Sequence, residues 1–241
     1  RARFFIEPED EEDLKKLLCV CTLRRIRFLL IGSGSNLLAS DRMIDAAVVR
    51  LSAPYFRKID KCGKGLLEAG AGVTLPELLS YARRQGMKGC EFLSGIPGTL
   101  AGALIMNAGI AEGNIGDLVR QVKVIDKNGR VRVLKRKEAK FSYRDSGLKK
   151  YIILGAILKL NSAGSGKSAD KVKERLEYRR RTQDWAYPSA GCIFKNPSGL
   201  SAGKLIDLCG LKGMHIGGAY VGVKHANFIV NKGHARASDV L

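Results

Sequence analysis

Ser94-Gly95-Ile96-Pro97-Gly98-Thr99-Leu100-Ala101-Gly102-Ala103, followed by Asn107-Ala108-Gly109, joins a rigid Pro-Gly turn to a helix start made of small residues. Proline fixes φ at its own position, glycine permits backbone angles closed to other residues, and Ala and Gly leave the helix surface without bulk. A surface of that kind packs tightly against a flat ring system. A second glycine-rich segment, Gly32-Ser33-Gly34-Ser35-Asn36-Leu37, follows the apolar run Phe28-Leu29-Leu30-Ile31. Its successive backbone N–H groups are suited to face a pyrophosphate, with Ser and Asn side chains as further donors. Taken alone it is a weak signal, and its default reading is a tight turn leaving a strand with no ligand. It lacks the third glycine of the GxGxxG fingerprint and no Walker lysine follows, so the Rossmann and P-loop readings lose ground.

Alternating elements surround these segments. Pro8-Glu9-Asp10 precedes a helix over 11–21, with Leu14, Leu17 and Leu18 on one side and acids in the first turn. Strands are expected at 28–31, 46–51 and 66–72. Thr74-Leu75-Pro76-Glu77 carries a cap, an early Pro and an acid placed to close a capping box, so a helix follows it. Val119–Ile125, an Asn128-Gly129 turn and Val131–Leu134 form a hairpin, and 151–160 is a further strand. Asn161-Ser162-Ala163-Gly164-Ser165-Gly166-Lys167-Ser168 is the linker candidate. Beyond it come a basic helix over 169–181, a short helix over 202–209 and a strand over 226–230. The fold class is α+β, with a nucleotide-binding domain over 1–162, split near 52–65, and a smaller α+β domain over 169–241.

The 241 residues, 45% of them hydrophobic, suffice for one large domain or two modest ones. Apolar runs fall far short of the roughly 20 residues of a membrane helix, and no leader pattern opens the chain, so a cytoplasmic protein with no membrane partner is expected. Six cysteines (Cys19, Cys21, Cys62, Cys90, Cys192, Cys209) include no CxxC pair, which fits reduced thiols and implies no metal. Lys+Arg 42 against Asp+Glu 23 gives a net charge of +19, compatible with anionic small molecules as well as nucleic acid. Only 7% of residues are aromatic and no RNP-like or zinc-finger pattern occurs, so nucleic acid is not the expected partner. The alternation Val131-Arg132-Val133-Leu134-Lys135 reads as an exposed sheet edge.

Two motifs bear on chemistry. Tyr143-Arg144-Asp145-Ser146 holds an arginine that is either a surface partner of Asp145 or a fixed cation for a developing negative charge. Tyr187-Pro188-Ser189-Ala190-Gly191-Cys192-Ile193-Phe194-Lys195-Asn196-Pro197 sets one thiol among small residues, where it is either a buried structural cysteine or a proton donor.

Taken in order with the two glycine-rich segments and with Ala202-Gly203-Lys204-Leu205-Ile206-Asp207, Gly210-Leu211-Lys212-Gly213, Ile216-Gly217-Gly218-Ala219 and Lys224-His225-Ala226-Asn227-Phe228-Ile229-Val230-Asn231, these motifs resemble the bacterial UDP-N-acetylenolpyruvoylglucosamine reductases over nearly the whole chain. The resemblance implies a FAD-binding domain of the vanillyl-alcohol-oxidase (PCMH) type followed by a substrate-binding domain. It implies non-covalent FAD, held by Gly32, Ser33, Gly34, Ser35, Asn36, Leu37, Gly95, Ile96, Pro97, Gly98, Thr99, Gly102 and Asn107. It further implies NADPH as hydride donor, an enolpyruvyl UDP-sugar as substrate, UDP-N-acetylmuramate as product for peptidoglycan, and a monomer. Arg144 would stabilise an enolate-like charge, and Cys192 falls where the family places its proton donor. A free thiol titrates at about 8.5 and gives up its proton far more readily than a serine hydroxyl. Tyr143, Lys195 and Asn196 would contact substrate. Arg144 and Cys192 stand 48 positions apart (192 − 144), which matches the shorter form of the family. The family's third catalytic residue, a carboxylate, and its opening strand are expected to lie outside these 241 residues. The rival readings are another FAD oxidoreductase of the same fold, such as a sugar oxidase, and a basic nucleic-acid-binding protein.

Overall fold

The computed structural model describes residues 1–162 and 167–241. They pack as two compact units. The larger comprises Ala2–Ser33 and Ile44–Arg175, the smaller Gly34–Met43 and Leu176–Leu241 with Arg1. The linker expected over 161–168 is structured at both of its described ends. Asn161-Ser162 forms a short strand and a helix begins at Lys167, while 163–166 lie outside the described residues.

The larger unit opens with β1 (Ala2–Ile6), α1 (Glu11–Leu23), β2 (Phe28–Ile31) and β3 (Ile44–Arg50). The three strands form a parallel sheet in the order β1-β3-β2. Ala2–Ile6, which carries no strand signal in sequence, pairs along β3 from Ala2 opposite Ile44 to Ile6 opposite Val49. β3 holds the centre, so Ala46-Ala47-Val48-Val49 is buried on both faces and reads as an unbroken apolar run. Asp10 caps α1 by accepting from Asp13 N at 2.9 Å, and Leu14 enters the core.

A second sheet follows. β4 (Ile59–Gly63) and β5 (Leu66–Gly70) lead to α2 (Leu75–Arg84), β6 (Met87–Lys88), α3 (Leu100–Ile105), β7 (Gly109–Ile110), β8 (Gly113–Asn114) and α4 (Ile115–Leu118). Then come β9 (Val119–Ile125), β10 (Val131–Lys135), β11 (Ile152–Lys159), β12 (Asn161–Ser162) and α5 (Lys167–Thr182). Strands β10-β9-β11-β5-β4 make an antiparallel five-stranded sheet, with β10 on the edge as its alternating charges require. β5 stops at Gly70 rather than Gly72. There the backbone leaves the ladder, and Gly72 N donates to Phe56 O at 2.9 Å. A Cβ on Gly70 or Gly72 would overlap the carbonyl of Phe56 or Leu51, so close backbone approach accounts for both glycines. The capping box of α2 forms: Glu77 N donates to Thr74 Oγ1, and Thr74 N donates to Glu77 Oε2 at 2.9 Å. Leu67, Leu75, Leu78, Leu93, Leu100, Leu104, Leu148 and Ile153, none of them more than 1% exposed, fill one continuous core. Each such side chain contributes about 1.5–3 kcal/mol over its exposed state.

The smaller unit carries β13 (Ser189–Cys192), α6 (Ala202–Leu208), β14 (His215–Ile216), β15 (Ala219–Val221), β16 (Phe228–Asn231) and α7 (Ala237–Val240). Its strands form an antiparallel sheet in the order β13-β16-β15-β14. Ser201 caps α6 through Lys204 N at 3.3 Å.

Candidate active site

In the larger unit, the glycine-rich turn 95–98 is built by its backbone. Gly95 (φ 73°) and Gly98 (φ 138°) occupy regions that disfavour side chains, and Ile96 N donates to Leu93 O at 3.1 Å. Thr99 then caps α3, with Oγ1 accepting from Gly102 N at 3.4 Å. The start of α3 is held by the strand-to-helix turn before α2. Leu75 N donates to Gly98 O at 3.0 Å, and Leu100 N to Val73 O at 2.7 Å. Leu100, Ala101, Ala103 and Leu104 face the core, which leaves Gly102 on the other side. Gly32 lies against this turn: a Cβ there would sit 2.5 Å from Thr99 Oγ1. Gly32-Ser33 belongs to the larger unit, whereas Gly34 (φ 72°), Ser35, Asn36 and Leu37 belong to the smaller.

The fit of FAD to these residues rests on two observations. Ser94 Oγ is buried beside the turn with no hydrogen-bond partner among the described residues. A buried polar atom is normally paired, and this hydroxyl has its hydrogen-bonding capacity left for a bound group. The close approach of Gly32 to Thr99 sets the end of β2 against the second glycine segment within the larger unit, and no Cβ intervenes between them. The residues fit the group.

Arg144 sits in the same unit at the tip of a two-residue turn. Ser142 N donates to Asp145 O at 3.0 Å, and Asp145 N returns to Ser142 O at 3.2 Å. Arg144 is left-handed (φ 55°), an uncommon state for a side chain of its size that the closed turn imposes. Asp145 Oδ1 accepts from Ser146 N at 2.8 Å and pairs with Lys149 Nζ at 2.7 Å. Arg144 joins no ion pair among the described residues, which leaves its planar fork available for a ligand carboxylate. Tyr143 beside it is exposed.

In the smaller unit, β13 presents Cys192, half-buried, at a bulge. Ser189 pairs with Val230 and Cys192 with Phe228, so two residues of β13 lie opposite one of β16, and Gly191 (φ 79°) absorbs the mismatch. Asn227, 2% exposed, braces the chain just beyond the thiol. Its Oδ1 accepts from Phe194 N and its Nδ2 donates to Phe194 O, both at 2.9 Å, and its own carbonyl accepts from Ile193 N. Asn196 Oδ1 accepts from Ala202 N at 3.0 Å, at the start of α6, and Lys195 is exposed. His225 packs its ring on Phe228 at 4.6 Å; burial, aided by the Lys212 charge, lowers its pKa. A cavity of about 440 Å3 lined by Gly217, Tyr220, Lys232, His234, Arg236 and Asp239 lies elsewhere in this unit. The motif reading named Gly217 without seeing that the segment folds into a concave surface.

Sequence reasoning missed Ser94 as more than a flank of its turn and missed Asn227 as a brace. An asparagine inside the apolar run Ala226–Val230 was the available signal for the second.

Comparison with known proteins agrees with this layout. Residues 2–135 match the family model for a FAD binding domain, and residues 183–241 that for the UDP-N-acetylenolpyruvoylglucosamine reductase C-terminal domain. The chain is 42% identical to the UDP-N-acetylenolpyruvoylglucosamine reductase of Heliobacterium modesticaldum, over 100% of this chain and 77% of that protein. To the protein of the same name from Clostridium tetani it is 39% identical, over 98% and 76%. The crystal structure of the Thermus caldophilus reductase superposes with a TM-score of 0.85 at 37% identity, covering 98% of this chain and 83% of that one. Cholesterol oxidase from Brevibacterium sterolicum shares the fold alone, at 12% identity and a TM-score of 0.52 over 66% of this chain and 34% of that one.

Proposed function

The chain belongs to the UDP-N-acetylenolpyruvoylglucosamine reductase family, and on that premise we propose that it uses NADPH to reduce UDP-N-acetylenolpyruvoylglucosamine to UDP-N-acetylmuramate, a peptidoglycan precursor. It is an FAD-dependent oxidoreductase. Bound FAD would supply the hydride-transfer chemistry between NADPH and the enolpyruvyl double bond. The chain's own residues supply binding, charge stabilisation and the proton. Gly32, Ser33, Gly95, Ile96, Pro97, Gly98, Thr99 and Gly102 form the cradle of the larger unit, and the reading also assigns Gly34, Ser35, Asn36 and Leu37 to FAD. Hydride addition leaves enolate-like negative charge beside the substrate carboxylate. Arg144, always protonated and held on a closed turn, stabilises that charge with its donor fork. Cys192 then gives its thiol proton to the carbanionic carbon and regains one from water. Tyr143, Lys195 and Asn196 orient the substrate.

The observation that carries this reading is the pairing, on one chain, of a fixed arginine with a thiol displayed at a bulge, in a family whose named members are reductases. It favours a reductase over a sugar oxidase of the same fold. The thiols form no disulfide among the described residues, and no described helix is long and apolar enough to cross a membrane. The reading places the enzyme in the bacterial cytoplasm, acting as a monomer.

Flavin absorbance of the full-length protein tests it. Anaerobic NADPH should bleach the visible band and the enolpyruvyl UDP-sugar should restore it. Cys192→Ala should keep the first step and slow the second about a hundredfold, while Cys192→Ser keeps measurable turnover. Arg144→Lys should slow the second step about tenfold or more, because the bidentate fork is lost. An alanine variant as fast as the parent would remove Cys192 from the chemistry.

A further inference from the structure

Asn107 is buried, 9% exposed, and left-handed (φ 44°), a backbone state that asparagine tolerates better than most residues. It stands two residues beyond α3, and both ends of its side chain are committed inside the larger unit. Nδ2 donates to Ser142 O at 2.9 Å, and Oδ1 accepts from Gly116 N at 3.0 Å. Ser142 O is also the acceptor that closes the Arg144 turn, taking Asp145 N at 3.2 Å. The turn is pinned on its other flank as well, where Ser146 Oγ donates to Ile105 O at 2.9 Å, the last residue of α3. Gly116 accommodates this arrangement by having no side chain. A Cβ there would fall 2.7 Å from Asn107 Oδ1 and 2.6 Å from the Phe141 ring.

We infer that Asn107 is a positioning residue for Arg144, acting through the Ser142 carbonyl, rather than a contact to the cofactor. The inference rests on the reading of Arg144 given above. The same short helix that Thr99 caps beside the glycine turn ends on the two anchors of the arginine turn, so the arginine is fixed relative to the cradle by backbone, not by its own flexible stem. A closed, left-handed arginine is costly to hold on an exposed loop, and a buried amide bond to its turn is a specific means of holding it.

Asn107→Asp tests this on the flavin-loaded full-length enzyme, because it keeps shape and the acceptor toward Gly116 N while removing the donor toward Ser142 O. The expected result is flavin affinity and the NADPH half-reaction within about twofold of the parent, with reoxidation by the enolpyruvyl UDP-sugar slowed about tenfold. Ser146→Ala, which releases the opposite flank, should show the same split and covers the case in which Asn107→Asp does not fold. In an Arg144→Lys background the Asn107→Asp penalty should largely vanish, since both changes remove one device. Reoxidation unchanged in Asn107→Asp and Ser146→Ala, while Arg144→Lys is slow, would overturn the positioning role and leave the reading of Arg144 intact. Weakened flavin binding with both half-reactions slowed equally would overturn it in favour of a cofactor contact. An Arg144→Lys enzyme that reoxidises normally would instead remove the reading on which the inference stands.

Discussion

Cys90 lies in the core at 2% exposure, and its thiol is pushed up to about 12, first by burial and then by the charge of Glu91. The folded protein therefore keeps a proton that the unfolded chain, with its thiol in water, gives up at lower pH. This contribution to stability is complete below about pH 9 and is lost toward about pH 12, at about 1.4 kcal/mol per pH unit. Alkylation with iodoacetamide at pH 8.5, followed by peptide mass mapping, should modify the exposed Cys19, Cys62 and Cys209 well before Cys90. Equal labelling would show that the core around Cys90 opens readily. Individual residues were legible in sequence where their role is local. Thr74 and Glu77 sit three apart and close their box without help from the rest of the chain. Asn107 was not legible in the same way, because its partner Ser142 is 35 residues away and only packing brings the two together.

At the scale of elements, β13 and β16 show how the strand that carries Cys192 is held by a buried side chain of its neighbour. Asn227 supplies a donor and an acceptor to Phe194, two residues past Cys192, from a buried position. Asn227→Leu should lower stability by about 1–3 kcal/mol, read from the urea midpoint, because it leaves partly buried backbone groups of Phe194 unpaired. An unchanged midpoint would mean that water replaces the amide at no cost. Elements with a strong local signature appear where the sequence placed them. The run 28–31 forms β2, the Asn128-Gly129 turn joins β9 to β10, and α2 follows its capping box. β4 escaped notice because Asp60-Lys61-Cys62 alternates no apolar face; it is an edge strand whose pairing with β5 supplies what its side chains do not. β14 and β15 are too short to carry a periodic pattern.

Across the whole molecule, the buried apolar residues are unevenly shared. Among the described residues from 176 onward only Ala202, Ala219, Ala226 and Val230 are buried hydrophobics, whereas the larger unit has a continuous core of leucine, isoleucine and valine. Native-state hydrogen exchange should therefore find the slowest amides in β5, β9 and β11 and markedly faster exchange in β14 and β15. Uniform protection across both units would contradict this division. The sequence by itself determined the α+β class and the ordered motifs, since glycine spacing, capping pairs and turn dipeptides act within a few residues of one another. Only the tertiary structure decided that Gly34–Met43 joins the smaller unit, that Ala2–Ile6 pairs with β3, that Gly72 must lack a side chain beside Leu51, and that the Arg144 turn is tied to the end of α3. Those features depend on backbone groups far apart in the chain meeting at hydrogen-bond or van der Waals distance, and no local pattern of side chains encodes that meeting.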